Sequence, residues 1–328
     1  MSNRVFTASP AIREQVPLLV GLGGPPGSGK TFSALTLATG IKRHRSGDIV
    51  VLDTESNRSL AYAPRKGETA DGVNLFDFRH VPFAPPFRSL DFLDAVRQQL
   101  PSNPAAIIID SASDEHEGEG GLLDFHDAEL DRMAGNDWSK RERVGQAAWI
   151  KPKGERREMM NGFLQIMTPL IFCFRAREKT KQVADQNGKM KPTNIGWTPI
   201  APPEIVHSMT LFCLLPIRSD GVPMWRGSTA YEDFSIKLPR QFEGIFPEGK
   251  RIDADMGYAM SAWAMGDGDK KNPIDEYAKE VAAKIKTFTD PQQLIDWWDS
   301  GMEYRASIGI PEARLRKMAD AVAKAVKA

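Results

Sequence analysis

The octapeptide Gly24-Pro25-Pro26-Gly27-Ser28-Gly29-Lys30-Thr31 constrains this chain more than any other segment. It fits the pattern GxxxxGK[ST], and it stands between an apolar run at 17–21 and an amphipathic stretch at 31–44. The chemistry explains the spacing. Glycines let successive backbone N–H groups curl around an anion, the lysine reaches the outer phosphates, and the neighbouring hydroxyl ligates Mg²⁺. A helix starting there points the positive end of its dipole at the same anion. The pattern predicts a strand–loop–helix unit that holds ATP and Mg²⁺ through Gly24, Pro25, Pro26, Gly27, Ser28, Gly29, Lys30, Thr31 and Phe32. The bland alternative is a Gly/Pro-rich surface turn, which leaves both flanking segments unexplained.

The rest of the first 265 residues repeats the alternation. Apolar runs at 48–53, 73–81, 105–110, 170–174 and 210–215 read as strands, and 89–100, 122–133 and 155–167 read as helices. The runs are continuously apolar, as in strands buried on both faces of a parallel sheet. Residues 216–256 carry more turns and suggest an antiparallel hairpin or two. The fold class is therefore α/β, with a largely parallel central sheet flanked by helices. A polar stretch at 266–272 reads as a linker, and Pro273, Pro291 and Pro311 each read as a helix start. The 328 residues divide into a core, 1–265, with an N-terminal arm at 1–15, and a helical module, 273–328.

Two apolar strands end in acid. Asp110 follows Ile107-Ile108-Ile109 and precedes Ser111, a carboxylate suited to hold Mg²⁺ with Thr31. Asp53 ends the strand before Thr54-Glu55. Glu55 is placed to face the outer phosphate and polarise the attacking water. Asp53 is open between a helix cap, a loop anchor and an indirect magnesium contact.

Taken together, GPPGSGKT at 24–31, VVLDTE at 50–55 and IIIDS at 107–111 resemble the RecA-type ATPase core. The closest resemblance is to short, phage-encoded RecA-core ATPases of recombination and single-strand annealing. It covers roughly residues 15–265, and it includes 118–124 and 174–179. It implies a RecA-like P-loop fold, Glu55 as activator of water, Asp110 as the Walker B carboxylate, and a homo-oligomer whose sites lie between subunits. The chain lacks an evident N-terminal oligomerisation domain of the kind full recombinases carry.

Lys+Arg and Asp+Glu both number 43, so the chain is not a generally basic nucleic-acid coat. The zero hides segregation. Residues 110–131 hold nine acidic side chains and no Lys or Arg, whereas 138–158 and 175–191 are basic. In a RecA-like core the last two stretches would face nucleic acid, which makes Lys140, Arg141, Arg143, Lys151, Lys153, Lys179 and Lys181 candidate contacts to single-stranded DNA. Trp138, Trp149 and Trp197 are candidates to stack on bases. The acidic run would then repel DNA or neutralise a neighbouring subunit. Arg175 and Arg177, just after strand 170–174, are candidate phosphate sensors or arginine fingers.

The tail, with Trp297 and Trp298, reads as a small helical core or as a docking module for a protein partner. Cys173 and Cys213 read as buried thiols, and the five histidines show no metal-ligand spacing. Neither a signal segment nor an 18-residue apolar run is present, so a cytoplasmic chain without a membrane partner is expected. Two other functions compete with a DNA-directed ATPase: a P-loop kinase, and a nucleotide-dependent scaffold without an essential hydrolysis step.

Overall fold

The computed structural model describes residues 5, 7–12, 14–184, 190–226, 236–266, 273–308, 310 and 312–327. Its strands are β1 (Leu19–Gly24), β2 (Ile49–Asp53), β3 (Arg79–Pro82), β4 (Ala106–Asp110), β5 (Leu170–Ala184), β6 (Met190–Pro199) and β7 (Leu211–Leu214). They form one sheet in the order β3-β2-β4-β5-β1-β7, with β6 paired to β5 outside that row. Every pair is parallel except β5 with β6.

Alternate residues of the continuous apolar runs enter two separate cores. Val20, Leu22, Val51, Ile108 and Cys173 join the cluster under helices α1 (Lys30–His44) and α8 (Ala254–Ala264). Leu19, Leu52, Ile107, Ile109 and Phe172 join the cluster under α2 (Ser89–Gln99) and α6 (Ile150–Phe163). Both faces of the sheet are covered, which is why the strands show no polar alternation. Helices α1 and α8 meet backbone to backbone. A Cβ on Gly40 would lie 1.7 Å from the Ala254 carbonyl oxygen, and one on Gly257 would lie 2.0 Å from that of Leu37.

Several elements differ from the sequence expectation, each for a local reason. The strand expected over 73–81 is only Arg79–Pro82, because one Asp71 carboxylate oxygen accepts from the backbone N–H groups of Val73, Asn74 and Leu75 and curls that segment into a turn. Helix α5 (Trp138–Ala148) starts where the Asp137 carboxylate accepts from Lys140 N, and α6 begins at Ile150 rather than near 155. Helix α8 was missed because its apolar residues surround it, leaving no stripe to read. Strand β5 does not stop at Phe174. It runs to Ala184 and pairs antiparallel with β6, so residues 175–184 of the basic stretch are strand and not loop. Between 216 and 256 the described antiparallel pairings are two isolated bridges, Phe212 with Lys237 and Leu214 with Met224.

All of the expected linker except Gly266 lies outside the described residues. Among the described residues four helices rather than three follow: α9 (Pro273–Thr287), α10 (Pro291–Ser300), α11 (Met302–Ser307) and α12 (Glu312–Lys327), with α11 a short extra helix after Gly301, between the second and third expected ones. They surround a cluster of their own, built on Ile274, Tyr277, Val281, Leu294, Met318 and Val322. Arg314 of α12 reaches back to Asp255 of α8 at 2.6 Å. No helix among the described residues is long and apolar enough to cross a membrane.

Candidate functional site

Loop 25–29 joins β1 to α1 at the carboxyl end of the sheet. Gly27 and Gly29 take φ of +74° and +87°, a backbone that side-chain-bearing residues rarely adopt, and nothing lies within 4 Å of where their Cβ atoms would be. The loop is thus curled and open at its tip. At its root a Cβ on Gly24 would strike the Ser28 hydroxyl at 2.4 Å. Lys30 Nζ folds over the loop and donates to the Pro25 carbonyl at 2.9 Å. Burial pushes the Lys30 ammonium below its ordinary value, and the carboxylates of Asp110 and Glu55 oppose that shift. Lys30, Asp110 and Glu55 therefore act on one another across a single small volume.

Thr31, in the first turn of α1, donates its hydroxyl to Asp110 Oδ2 at 2.5 Å, joining residues 79 positions apart. Asp110 is 5% exposed, and burial pushes its carboxyl up to about 6. The parallel register puts Asp53 beside Asp110 on adjacent strands, although the two do different work. Asp53 anchors a loop: its oxygens accept from Glu55 N at 2.8 Å, Ser59 N at 2.9 Å and Ser59 Oγ at 2.5 Å, and His80 Nε2 lies at 3.3 Å. Its carboxylate is used up in placing Glu55, which itself stays half-buried with Arg58 at 3.7 Å. Of the roles left open for Asp53, the geometry selects the anchor.

Sequence reading missed a second layer. The Thr54 hydroxyl accepts from Ser111 N at 2.7 Å and donates to Asp114 Oδ2 at 2.5 Å, while Thr54 N donates to the Asp110 carbonyl at 2.8 Å. The other oxygen of Asp114 receives the Arg175 guanidinium. Ser113 Oγ accepts from Arg175 N at 2.9 Å. Glu117 lies 3.8 Å from Arg175 and 3.7 Å from Arg177, so both arginines share one face of β5, as i and i+2 positions must. The sequence signal for this layer was the acid-rich segment itself, which was read as repelling DNA or neutralising a neighbouring subunit.

The Thr31 hydroxyl and the Asp110 carboxylate are hard oxygen donors in contact, the kind of set Mg²⁺ takes together with water and phosphate oxygens. Among the described residues no group of three or more His, Cys, Asp or Glu could hold a metal alone. The donors present fit a cation delivered with a phosphate ligand.

Part of the charge of the basic segment 138–158 is paired with the acidic run of the same chain. Arg141 pairs with Asp131, Lys151 with Glu129 at 3.1 Å, and Arg156 with Glu115 at 2.7 Å in a buried contact. The acidic run therefore neutralises its own chain's arginines and lysines. The Trp149 ring is stacked on His126 at 3.9 Å, with the Lys153 ammonium 5.5 Å from it. Arg143 Nε donates to the Ser139 carbonyl at 3.2 Å. Lys140 and Trp138 are exposed. On the hairpin, Lys181 is exposed and Lys179 half-buried, and Trp197 packs against the second core. Cys173 and Cys213 are buried free thiols, and burial pushes both up.

Comparison with known proteins assigns no family: no family model and no curated protein matches the chain.

Proposed function

We propose that this chain is a Mg²⁺-dependent ATPase with a RecA-like P-loop core, acting on single-stranded DNA as a homo-oligomer. One observation carries the reading. The Thr31 hydroxyl meets the Asp110 carboxylate at 2.5 Å beside a glycine-turned loop, with Lys30 and Glu55 within electrostatic reach. Lys30 would leave the Pro25 carbonyl for the outer phosphates, a favourable exchange because a charged acceptor replaces a neutral one. Mg²⁺, held by Thr31 and Asp110, would offset charge on the phosphates. Glu55, kept in place through its own N–H bond to Asp53, would take the proton of the attacking water.

The DNA half of the reading rests on the hairpin. Residues 176–184 run past Arg175, which is level with Gly24 at the sheet end, and at ~3.3 Å per residue they reach on the order of 30 Å. Arg177 and Lys181 stand exposed along it.

The test is phosphate release from ATP with and without single-stranded DNA, at low and high salt. Hydrolysis that DNA stimulates, and that salt weakens, is expected. Lys30→Ala should lower turnover by on the order of 10²–10³ while leaving the melting temperature in place. Phosphate passed to an acceptor instead of water would make the chain a kinase. No DNA stimulation would remove the DNA reading and leave the ATPase.

A further inference from the structure

Helix α1 begins at the phosphate loop and ends, 15 residues on, in Lys42-Arg43-His44. At ~1.5 Å per residue its far end lies about 20 Å from Lys30, beside the amino ends of β2 and β4. There a cleft of about 500 Å³ opens between the end of α1, Asn103 ahead of β4, and Tyr258 and Met265 of α8 and the residue after it. Among the described residues no carboxylate lines it, and two arginines, Arg43 and Arg45, do. We propose that this cleft binds a small phosphate-bearing anion, free phosphate or a phosphate monoester, at a site separate from the phosphate loop. The site stands whether or not the loop holds a nucleotide.

Both arginines are desolvated without matching acceptors. Arg45 donates Nη1 to the Met265 sulfur at 3.0 Å, a weak acceptor, and pairs with no carboxylate among the described residues. Burial pushes its guanidinium below the ordinary value, with no neighbouring carboxylate to oppose the shift. The Arg43 side chain is 11% exposed and donates Nη2 to Asp255 at 3.1 Å, but its Nε and Nη1 are buried with no partner. Asp255 is itself divided between Arg43 and Arg314. The negative end of the helix dipole explains basic residues in a last turn, yet it gives these N–H groups no acceptor. A desolvated cation is costly until an anion pairs with it, so the cleft favours one. Two planar forks suit an anion that carries several oxygens on one centre, which phosphate does.

The rim is built to hold its shape. Gly47 takes φ of +112°, and a Cβ on it would lie 2.2 Å from the Asn103 carbonyl oxygen, while Ala105 N donates to the Asp48 carbonyl at 2.9 Å. The His44 ring also lines the cleft, held at 3.0 Å from Ser261 Oγ and edge-on to Tyr258. The exposed side chains of Ser46 and Asn103 add neutral polar groups. The volume falls within the ~300–1,000 Å³ of small-ligand pockets. A nucleic-acid strand needs a cationic groove that follows its backbone. Here the walls from Tyr258, Met265 and Asn103 carry no charge, so a single phosphate group fits the cleft better than a strand does.

The experiment is thermal unfolding of the Lys30→Ala protein, whose phosphate loop is disabled, at rising inorganic phosphate and matched ionic strength. Phosphate at about 10 mM should raise the melting temperature by about 2–4 °C, and acetate should leave it within about 0.5 °C. Arg45→Met on that background should abolish the phosphate shift. Without phosphate it should melt no lower than its parent, because the arginine has no protein counter-charge to lose. Arg45→Lys, which keeps the charge and loses the fork, should retain less than about half of the shift. A phosphate shift that survives Arg45→Met, or that acetate matches, would overturn the proposal. So would a short single-stranded oligonucleotide that stabilises more than phosphate at equal phosphate concentration and depends on Arg45, which would make the cleft a nucleic-acid site.

Discussion

The acidic segment after β4 meets arginine and lysine in two settings. Near the sheet end, Glu115 and Arg156 pair with side chains only 3% and 10% exposed, and Glu115 also accepts from Ser89 Oγ at 2.5 Å. Around helix α4 (Leu122–Ala134), Arg141 pairs with an Asp131 that is 68% exposed, and Lys151, itself 58% exposed, pairs with Glu129. The charges are alike and the environments are not. Removing one partner of a buried pair strands the other in a poor solvent, while water replaces a lost partner at the surface. Charge order along the chain therefore says little about a charged surface, since the fold folds one block onto the other.

That contrast can be broken in graded steps. Glu115→Ala should produce the largest loss, about 3 kcal/mol of unfolding free energy by chemical denaturation, because Arg156 is left buried without a counter-charge, with only the neutral His116 Nδ1 at 3.1 Å. A loss under about 1 kcal/mol would erase the distinction drawn here. Asp114→Asn should come next, at about 1–2 kcal/mol, since Arg175 remains 32% exposed and water compensates in part. It should also lower turnover more than it raises KM for ATP, because Asp114 touches Thr54 beside Glu55 and holds Arg175.

Asp110 supplies a pH signature. Its carboxyl, pushed up to about 6 by burial, holds its proton more tightly in the folded protein than in the unfolded chain. The stability it adds is complete below the unfolded value of 3.8 and is lost as pH rises through about 6. Because a proton competes with the metal, Mg²⁺-dependent nucleotide affinity should fall as the pH drops below about 6, and Asp110→Asn should flatten both curves. The smallest effect belongs to the surface: Asp131→Asn should shift stability by no more than about 0.5 kcal/mol. A larger shift would show that the α4–α5 contact is worth more than its exposure suggests.

Much of the site could be read from residue order. The loop, Asp110 and Glu55 lie at strand ends, and strand ends are visible wherever an apolar run meets an acid. The sheet faces were legible for the same reason. What escaped notice depended on contacts distant in sequence or on chemistry without periodicity. Thr54 and Asp114 are unremarkable letters until Ser111 N and Arg175 meet them. The β5–β6 hairpin looked like a loop because polar residues fill it, yet two polar strands paired beyond a sheet can be wet on both sides. Lys151 and Trp149 counted as nucleic-acid candidates only because a sequence does not show what lies across from a side chain.

The glycine crossing of α1 and α8 has a mechanical meaning. With carbonyl oxygens where Gly40 and Gly257 would carry side chains, the two helices leave each other no slack to slide or roll. Arg43 of α1 and Arg314 of the last helix grip opposite oxygens of the same Asp255. The rod that starts at Lys30 is thus keyed to a second rod, and the second rod is clasped by the helical tail. Helix α1 is thereby held to α8 by backbone packing, whereas the tail meets α8 through a partly exposed ion pair.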